Sequence, residues 1–395
     1  MPLLPPTVVA PLSECSSSVR VEGQITGSTV EIHITGTAGY IGGGVATWSD
    51  QTFPIAPGSL APGHTVRALQ KLGPDTSALG PGVTVQKKPP TIGPVVFQSH
   101  LYNCGRCAWL TGAVPGAKVE VKAGGALRGS VVSADGNARL GLNPATNHPP
   151  DILTARQTAC GTPGVLTTGP TPDPAPGSRE HKLPPPTVPG PLKECDPAVL
   201  VTNVFEGATV TIHRTAGPPE SACFDATGLW FILSTPLVLG EKVSASQAFP
   251  ACKIQGSSSP TVTVGSAKPV APPTVIPPLC AGQTTVTLTG FTPGALIDIF
   301  QSGVNLGTAQ APDQIPFDFP VPPLVGGTVI TARQTLCKNQ SVDSNAVPVD
   351  PAPAGMPTPK IPGPLFECAG LVRVENIHLG AKVRVFSTLL GAEIG

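Results

Sequence analysis

At 395 residues, with Lys plus Arg and Asp plus Glu both at 24, the chain carries no net charge, which removes the electrostatic case for nucleic acid or an anionic membrane surface. Charged residues reach only 12%, while Pro 50 and Gly 45 punctuate runs of Val, Ile and Thr, the composition of turns between short strands. No apolar run reaches the roughly 18 residues a membrane helix needs; the longest candidate, Leu229 to Leu239, is broken by Ser234 and Pro236.

The opening Met1-Pro2-Leu3-Leu4-Pro5-Pro6 has neither a basic segment nor an apolar stretch of signal-peptide length. Ten cysteines in a strand-rich chain nevertheless argue for an oxidising compartment. The two observations agree if the chain is an internal piece with its signal upstream, which is the expectation here. A proline-led phrase then recurs: Pro5-Pro6-Thr7-Val8, Pro89-Pro90-Thr91-Ile92, Pro185-Pro186-Thr187-Val188 and Pro272-Pro273-Thr274-Val275, with Pro359-Lys360-Ile361-Pro362 as a fifth. The period is about 87 residues, the mark of a tandem array.

Within each period a cysteine follows the opening: Cys15, Cys104, Cys195, Cys280 and Cys368. An alternating strand comes next (Val19 and Val21, Ala108 and Leu110, Val199 and Val201, Val372 and Val374). The phrase that organises the unit follows: Gly27-Ser28-Thr29-Val30-Glu31-Ile32, Gly116-Ala117-Lys118-Val119-Glu120-Val121, Gly207-Ala208-Thr209-Val210-Thr211-Ile212, Gly294-Ala295-Leu296-Ile297-Asp298-Ile299 and Gly380-Ala381-Lys382-Val383-Arg384-Val385. It reads as a turn into a strand with one apolar face. The unit closes on Val66-Arg67-Ala68-Leu69-Gln70, Leu153-Thr154-Ala155-Arg156-Gln157, Val243-Ser244-Ala245-Ser246-Gln247 or Ile330-Thr331-Ala332-Arg333-Gln334. Period two turns this glutamine inward, so its amide must find backbone partners in a neighbouring loop.

Several short strands per period, with no helical periodicity, predict an all-β tandem array of two-sheet sandwiches. The expected units are 1–87, 88–168, 183–268, 269–351 and a partial fifth, 352–395, with 169–182 as a Pro-rich linker. The fifth stops before its Ala-x-Gln strand, so the natural chain is expected to continue past Gly395. Taken together, the Pro-Pro-Thr opening, the Gly-Ala-x-Val-x-Val strand and the Ala-x-Gln strand resemble bacterial Ig-like repeat domains, the tandem sandwiches of surface adhesins and large secreted proteins. The resemblance implies adhesion or spacing as the role. Unit two departs from the pattern at Asn147-His148-Pro149-Pro150, where other units supply glycine.

No chemistry stands out against this. The histidines lack metal spacing, Cys104-Gly105-Arg106-Cys107 lacks the second pair of a zinc site, and no nucleophile or phosphate motif is present. No catalytic residue, cofactor or metal is expected. Trp109, on the outward face, is the candidate contact for a surface glycan or protein ligand, with packing against a neighbouring loop the favoured reading. The expected role is therefore a non-enzymatic extracellular spacer or adhesive stalk. The alternatives are a glycan-binding array and the accessory region of a larger secreted enzyme.

The cysteine spacing suggests a staple inside each unit. Cys104 and Cys160 are separated by 56 residues, Cys195 and Cys252 by 57, and Cys280 and Cys337 by 57. These three pairs are the expected disulfides, each worth roughly 4 kcal/mol in the chain-entropy model. Unit one has Lys71-Leu72-Gly73-Pro74 where the partner would fall, so Cys15 is expected to be unpaired and Cys368 to pair beyond Gly395. Cys107 and Cys223 stay unassigned, with Cys107 a competitor for Cys160.

Overall fold

The computed structural model describes residues 2–143, 152–177 and 182–351, together with 355, 357–363, 372–377, 383, 385–387 and 392–393. Apart from one 3-10 turn at Pro250–Cys252, every regular element among them is a strand. Unit one sets the pattern. Its strands are β1 (Thr7–Val8), β2 (Leu12–Ser13), β3 (Ser18–Glu22), β4 (Thr29–Ile34), β5 (Gly42–Val45), β6 (Asp50–Pro54), β7 (Thr65–Leu72), β8 (Asp75–Thr76) and β9 (Val83–Gln86). One sheet runs β1-β3-β6; the other runs β2-β9-β7-β4-β5, with β8 paired to the end of β7. The opening segment thus starts in one sheet and crosses to the other, where β2 lies parallel to β9, the edge arrangement of an Ig-like sandwich. Alternation explains why the sheets face each other. Val19 and Val21 of β3, Val30 and Ile32 of β4, and Val66 and Ala68 of β7 are all fully buried, each large side chain contributing about 1.5–3 kcal/mol.

The later units repeat this plan. Unit four has Thr274–Val275, Thr285–Thr289 and Phe317–Pro320 in one sheet and Leu279–Cys280, Val347–Asp350, Val329–Leu336, Leu296–Gln301 and Val304–Gln310 in the other. In units two and three the organising strands Lys118–Ala123 and Thr209–Arg214 again lie beside the Ala-x-Gln strands Leu153–Ala159 and Lys242–Phe249. Each of the four units has its own apolar core cluster. Most of the fifth unit, and the Asn147–Pro150 turn, lie outside the described residues.

The expected linker 169–182 needs correction at its start. Asp173 bridges Tyr102 in parallel, and its amide and carbonyl bond Leu101 and Asn103. Gly169 to Asp173 therefore extends the last strand of unit two, because its backbone has partners there. Ala175 is buried in the core of unit three.

The inward glutamines behave alike in all four units. The Gln70 amide donates to the Leu4 carbonyl at 2.8 Å and accepts from the Ile25 N–H at 2.8 Å. Gln157 bonds Gly93, Gly112 and Val114; Gln247 bonds Pro184, Asn203 and Phe205; Gln334 bonds Ala271, Gly290 and Thr292. Each amide ties the opening segment to the loop before the organising strand, so no buried polar atom of that side chain goes unmatched.

One inward position breaks the apolar pattern. The last residue of the organising strand is apolar in units one and two (Ile34, Ala123) and a half-buried Gln301 in unit four, but a buried, charged Arg214 in unit three. Its guanidinium lies 2.9 Å from the Glu241 carboxylate, with side-chain exposures of only 1% and 2%. It also donates to the Thr235 and Pro236 carbonyls at 2.7 and 2.9 Å.

Candidate functional site

The cysteines do not staple units internally. Cys15 bonds Cys160, Cys104 bonds Cys252, Cys107 bonds Cys223, and Cys195 bonds Cys337, with Cα separations of 5.1, 5.8, 6.0 and 5.6 Å. This corrects the expected pairs Cys104–Cys160, Cys195–Cys252 and Cys280–Cys337, and the expectation that Cys15 is unpaired. The reason is geometric. The early cysteine follows the opening segment, which runs parallel to the last strand, so it sits at the pole where that strand ends. The late cysteine sits at the turn where that strand begins. Within one sandwich the two are separated by the length of a strand such as Lys242–Phe249, about 26 Å at 3.3 Å per residue. A disulfide needs Cα atoms within about 7 Å. The early cysteine of one unit therefore meets the late cysteine of the next, and Cys107–Cys223 adds a second tie between units two and three. Cys280 is buried at the end of its strand, and Cys368 lies outside the described residues.

The junctions explain why the organising phrase begins with glycine. Gly116, Gly207 and Gly294 have φ of +81°, +79° and +81°, a region open to glycine at no steric cost. They also lie against the preceding unit: a Cβ would sit 2.2 Å from the Cys15 carbonyl oxygen, 3.1 Å from Gly105 Cα and 2.4 Å from Pro197 Cγ, respectively. Gly27 shares the φ, at +87°, with open space around it. Small apolar clusters seal two of these contacts, Ile92, Val114, Ala117 and Ala159 around Cys15, and Ala267, Val270, Ala295 and Leu336 around Cys195–Cys337.

Charge fills the space between units farther from the disulfides. Arg20 on β3 holds Asp50 of its own unit, Nε to Oδ1 at 2.8 Å, and Asp135 of unit two at 2.7 Å. Arg139 reaches Asp225 of unit three at 2.6 Å while its guanidinium carbon lies 4.6 Å over the Trp109 ring. Trp109 is thus half-buried beneath an arginine engaged with the next unit, so one of its faces is occupied from within the chain. Unit four closes on the same region: the Thr26 N–H donates to Gln310 Oε1 at 2.7 Å, and Ser49 donates to the Ala311 carbonyl at 3.0 Å.

Glu22 is the strained member of this set. Burial, then the nearby Asp50 charge, pushes its carboxyl from 4.5 up to about 7; Asp313 and Asp135 add to the push, and Arg20, 2.9 Å away, opposes it. Below 4.5 the group is neutral folded or unfolded. As pH rises toward 7 the unfolded chain gives up the proton more readily, so stability falls, and the whole penalty stands above 7. Glu22→Gln is expected to stabilise unit one by up to about 3 kcal/mol at pH 8 and by little near pH 4.5. Thermal unfolding of both chains at the two pH values checks this, and a pH-independent difference would contradict it.

Between units two and three lies a cleft of about 650 Å³, lined by His100, Tyr102, Asn203, Phe205, Glu206 and Pro184 among others. His100 and Tyr102 rings are 4.4 Å apart, and Tyr102 meets Phe205 edge-on at 5.9 Å. Glu206 accepts the His100 backbone N–H, and Asp173 lies 2.8 Å from His100 Nε2. These aromatics escaped the sequence reading because they belong to different repeats and meet only across the junction. No group of three His, Cys, Asp or Glu among the described residues is placed to hold a metal ion, and no helix among them is long and apolar enough to cross a membrane.

No protein-family model and no curated protein matches the chain. Among solved structures, the FN1–FN3 domains of chicken CNTN1 are 12% identical, covering 66% of this chain and 98% of that one at a TM-score of 0.18. The BSP domain of a biofilm associated protein is 10% identical, covering 89% of this chain and 96% of that one at 0.22. A structure addressing Dscam isoform specificity is 9% identical, covering 88% and 98%, also at 0.22. Scores this low carry no argument about arrangement or role; the Ig-like fold rests on the strand pairing described above.

Proposed function

We propose that the chain is a non-enzymatic extracellular spacer of the bacterial Ig-like repeat kind, built of units spanning 1–87, 88–168, 183–268 and 269–351 with part of a fifth, and that its junctions are made to carry load. The observation that supports this reading is the bonding of each early cysteine to the late cysteine of the following unit. Such bonds favour an oxidising compartment, and they limit how far the array can be extended. The shortest covalent route through the array runs Cys15 to Cys160, along the chain to Cys195, then to Cys337. For a ligand, the cleft at His100, Tyr102 and Phe205 is the better-placed surface, since Trp109 already lies under Arg139.

Single-molecule pulling from points flanking Cys15 and Cys337 tests the proposal. Oxidised chains are expected to lengthen by no more than the Cys160–Cys195 stretch, roughly 120 Å at about 3.5 Å per residue. Reduced chains are expected to extend about nine times as far, since all intervening residues are then released. Equal extension in the two states would defeat the load-bearing reading.

A further inference from the structure

The place where unit one meets unit four is built differently from the disulfide junctions. Leu3 bridges Thr308 in parallel; the Leu4 N–H donates to the Thr308 carbonyl at 2.9 Å, and the Thr308 N–H to the Pro2 carbonyl at 3.0 Å. Residues 2–4 are therefore an added strand on the outer edge of Val304–Gln310. Leu4 is 1% exposed and belongs to the core of unit four, with Ile299, Phe317 and Phe319.

Comparison with the other units shows what this strand replaces. Gly42, Gly129 and Gly307 occupy one position, opposite Ile32, Val121 and Ile299 of the organising strands. In unit one Gly42 bridges Ile55, just past β6, and a Cβ on it would lie 2.2 Å from the Pro54 carbonyl oxygen. In unit two a Cβ on Gly129 would lie 2.2 Å from the Gly141 carbonyl oxygen, at the end of the equivalent strand. Those two sandwiches close this edge with their own chain. In unit four the same glycine, at φ +151°, faces residues 2–4 instead: its Cβ would lie 2.7 Å from Leu4 Cδ2 and 3.0 Å from Leu4 N.

We propose that the edge of Val304–Gln310 is a strand-acceptor site for an extended Leu-Leu segment, read by main-chain pairing at Thr308 and a leucine socket over Gly307, and that residues 2–4 of the same chain fill it to hold unit one against unit four. Main-chain pairing with alternate side-chain pockets is the general physics of strand addition. The occupant is anchored from both sides, since the Leu4 carbonyl also accepts from the buried Gln70 amide of unit one.

The experiment uses the full chain with Leu4→Asp or, separately, Gly307→Val, and follows backbone hydrogen exchange. Exchange at Thr308 is expected to rise at least tenfold in both variants, with protection retained at Ile297 and Ala332 in the unit-four core. A synthetic peptide of residues 1–7 is expected to restore protection at Thr308 in the Leu4→Asp chain and not in the Gly307→Val chain. Leu4→Ala provides the milder substitution if Leu4→Asp unfolds unit four, with the same pattern expected. Unchanged Thr308 exchange in the variants, or a peptide without effect on the Leu4 variants, would overturn the acceptor site. A wild-type dimer whose Thr308 protection disappears on dilution would overturn the same-chain occupant.

Discussion

Val210→Asp is expected to unfold unit three while unit four keeps its own transition. Val210 is fully buried on the organising strand Thr209–Arg214, paired across to Gln247 on one side and Ala222 on the other. An aspartate there would place a carboxylate among Val201, Ile212 and Val243 of the same core, with no cation in that cluster to meet it. The cost exceeds about 5 kcal/mol once cavity and desolvation combine, comparable with the whole stability of a small sandwich. The cores of units three and four share no residue, and separate cores can unfold separately. Hydrogen exchange resolved by unit checks the result, and an unaltered unit three would mean that Val210 does not face inward.

Glu241→Ala is the second large effect. Removing this carboxylate leaves the buried Arg214 guanidinium with two backbone carbonyls, the Thr235 hydroxyl and only the more distant Glu220 carboxylate, at 3.7 Å, as counter-charge, and it strips an acceptor from the Val238 N–H. Breaking one half of a buried ion pair typically costs about 3–5 kcal/mol, whereas replacing both halves with apolar side chains is far milder. The double substitution Arg214→Met with Glu241→Leu is therefore expected to recover a good part of the loss. Denaturant unfolding of the single and double variants decides it, and a single-variant cost under about 1 kcal/mol would show that Glu220 or water takes over from Glu241.

Much of the fold was legible because each unit repeats the same local chemistry. Alternation placed Val210 and its counterparts inward, and the requirement that a buried amide be satisfied placed the four glutamines against neighbouring loops. Arg214 was missed because its strand reads as regular alternation, and because Glu241, 27 residues on, becomes its neighbour only through tertiary folding. The disulfides failed for a different reason. In a repeat, partners one unit apart recur with separations of 145, 148 and 142 residues, nearly as regularly as partners inside one unit, so spacing alone cannot choose. Strand direction chooses, by putting the two cysteines of a unit at opposite poles. Cys15 held the clue: an early cysteine in a unit with Gly73 at the late position is what bonding to the following unit requires. The meeting of units one and four could not be read from the repeat, since Gly307 recurs as Gly42 and Gly129 where no such contact forms, and its partners at Thr308, Gln310 and Ala311 meet Leu3, Thr26 and Ser49 only through tertiary folding.

The bonds between successive units also enclose overlapping stretches of chain. The stretch closed by Cys15–Cys160 overlaps the one closed by Cys104–Cys252, and that in turn overlaps the one closed by Cys195–Cys337. Every peptide bond from Cys15 to Cys337 therefore lies inside at least one covalent ring. A protease that nicks the backbone once anywhere in that span, including the Pro-rich segment before Lys182, leaves a single molecule. Staples confined to each unit would have let the same nick cut the array in two.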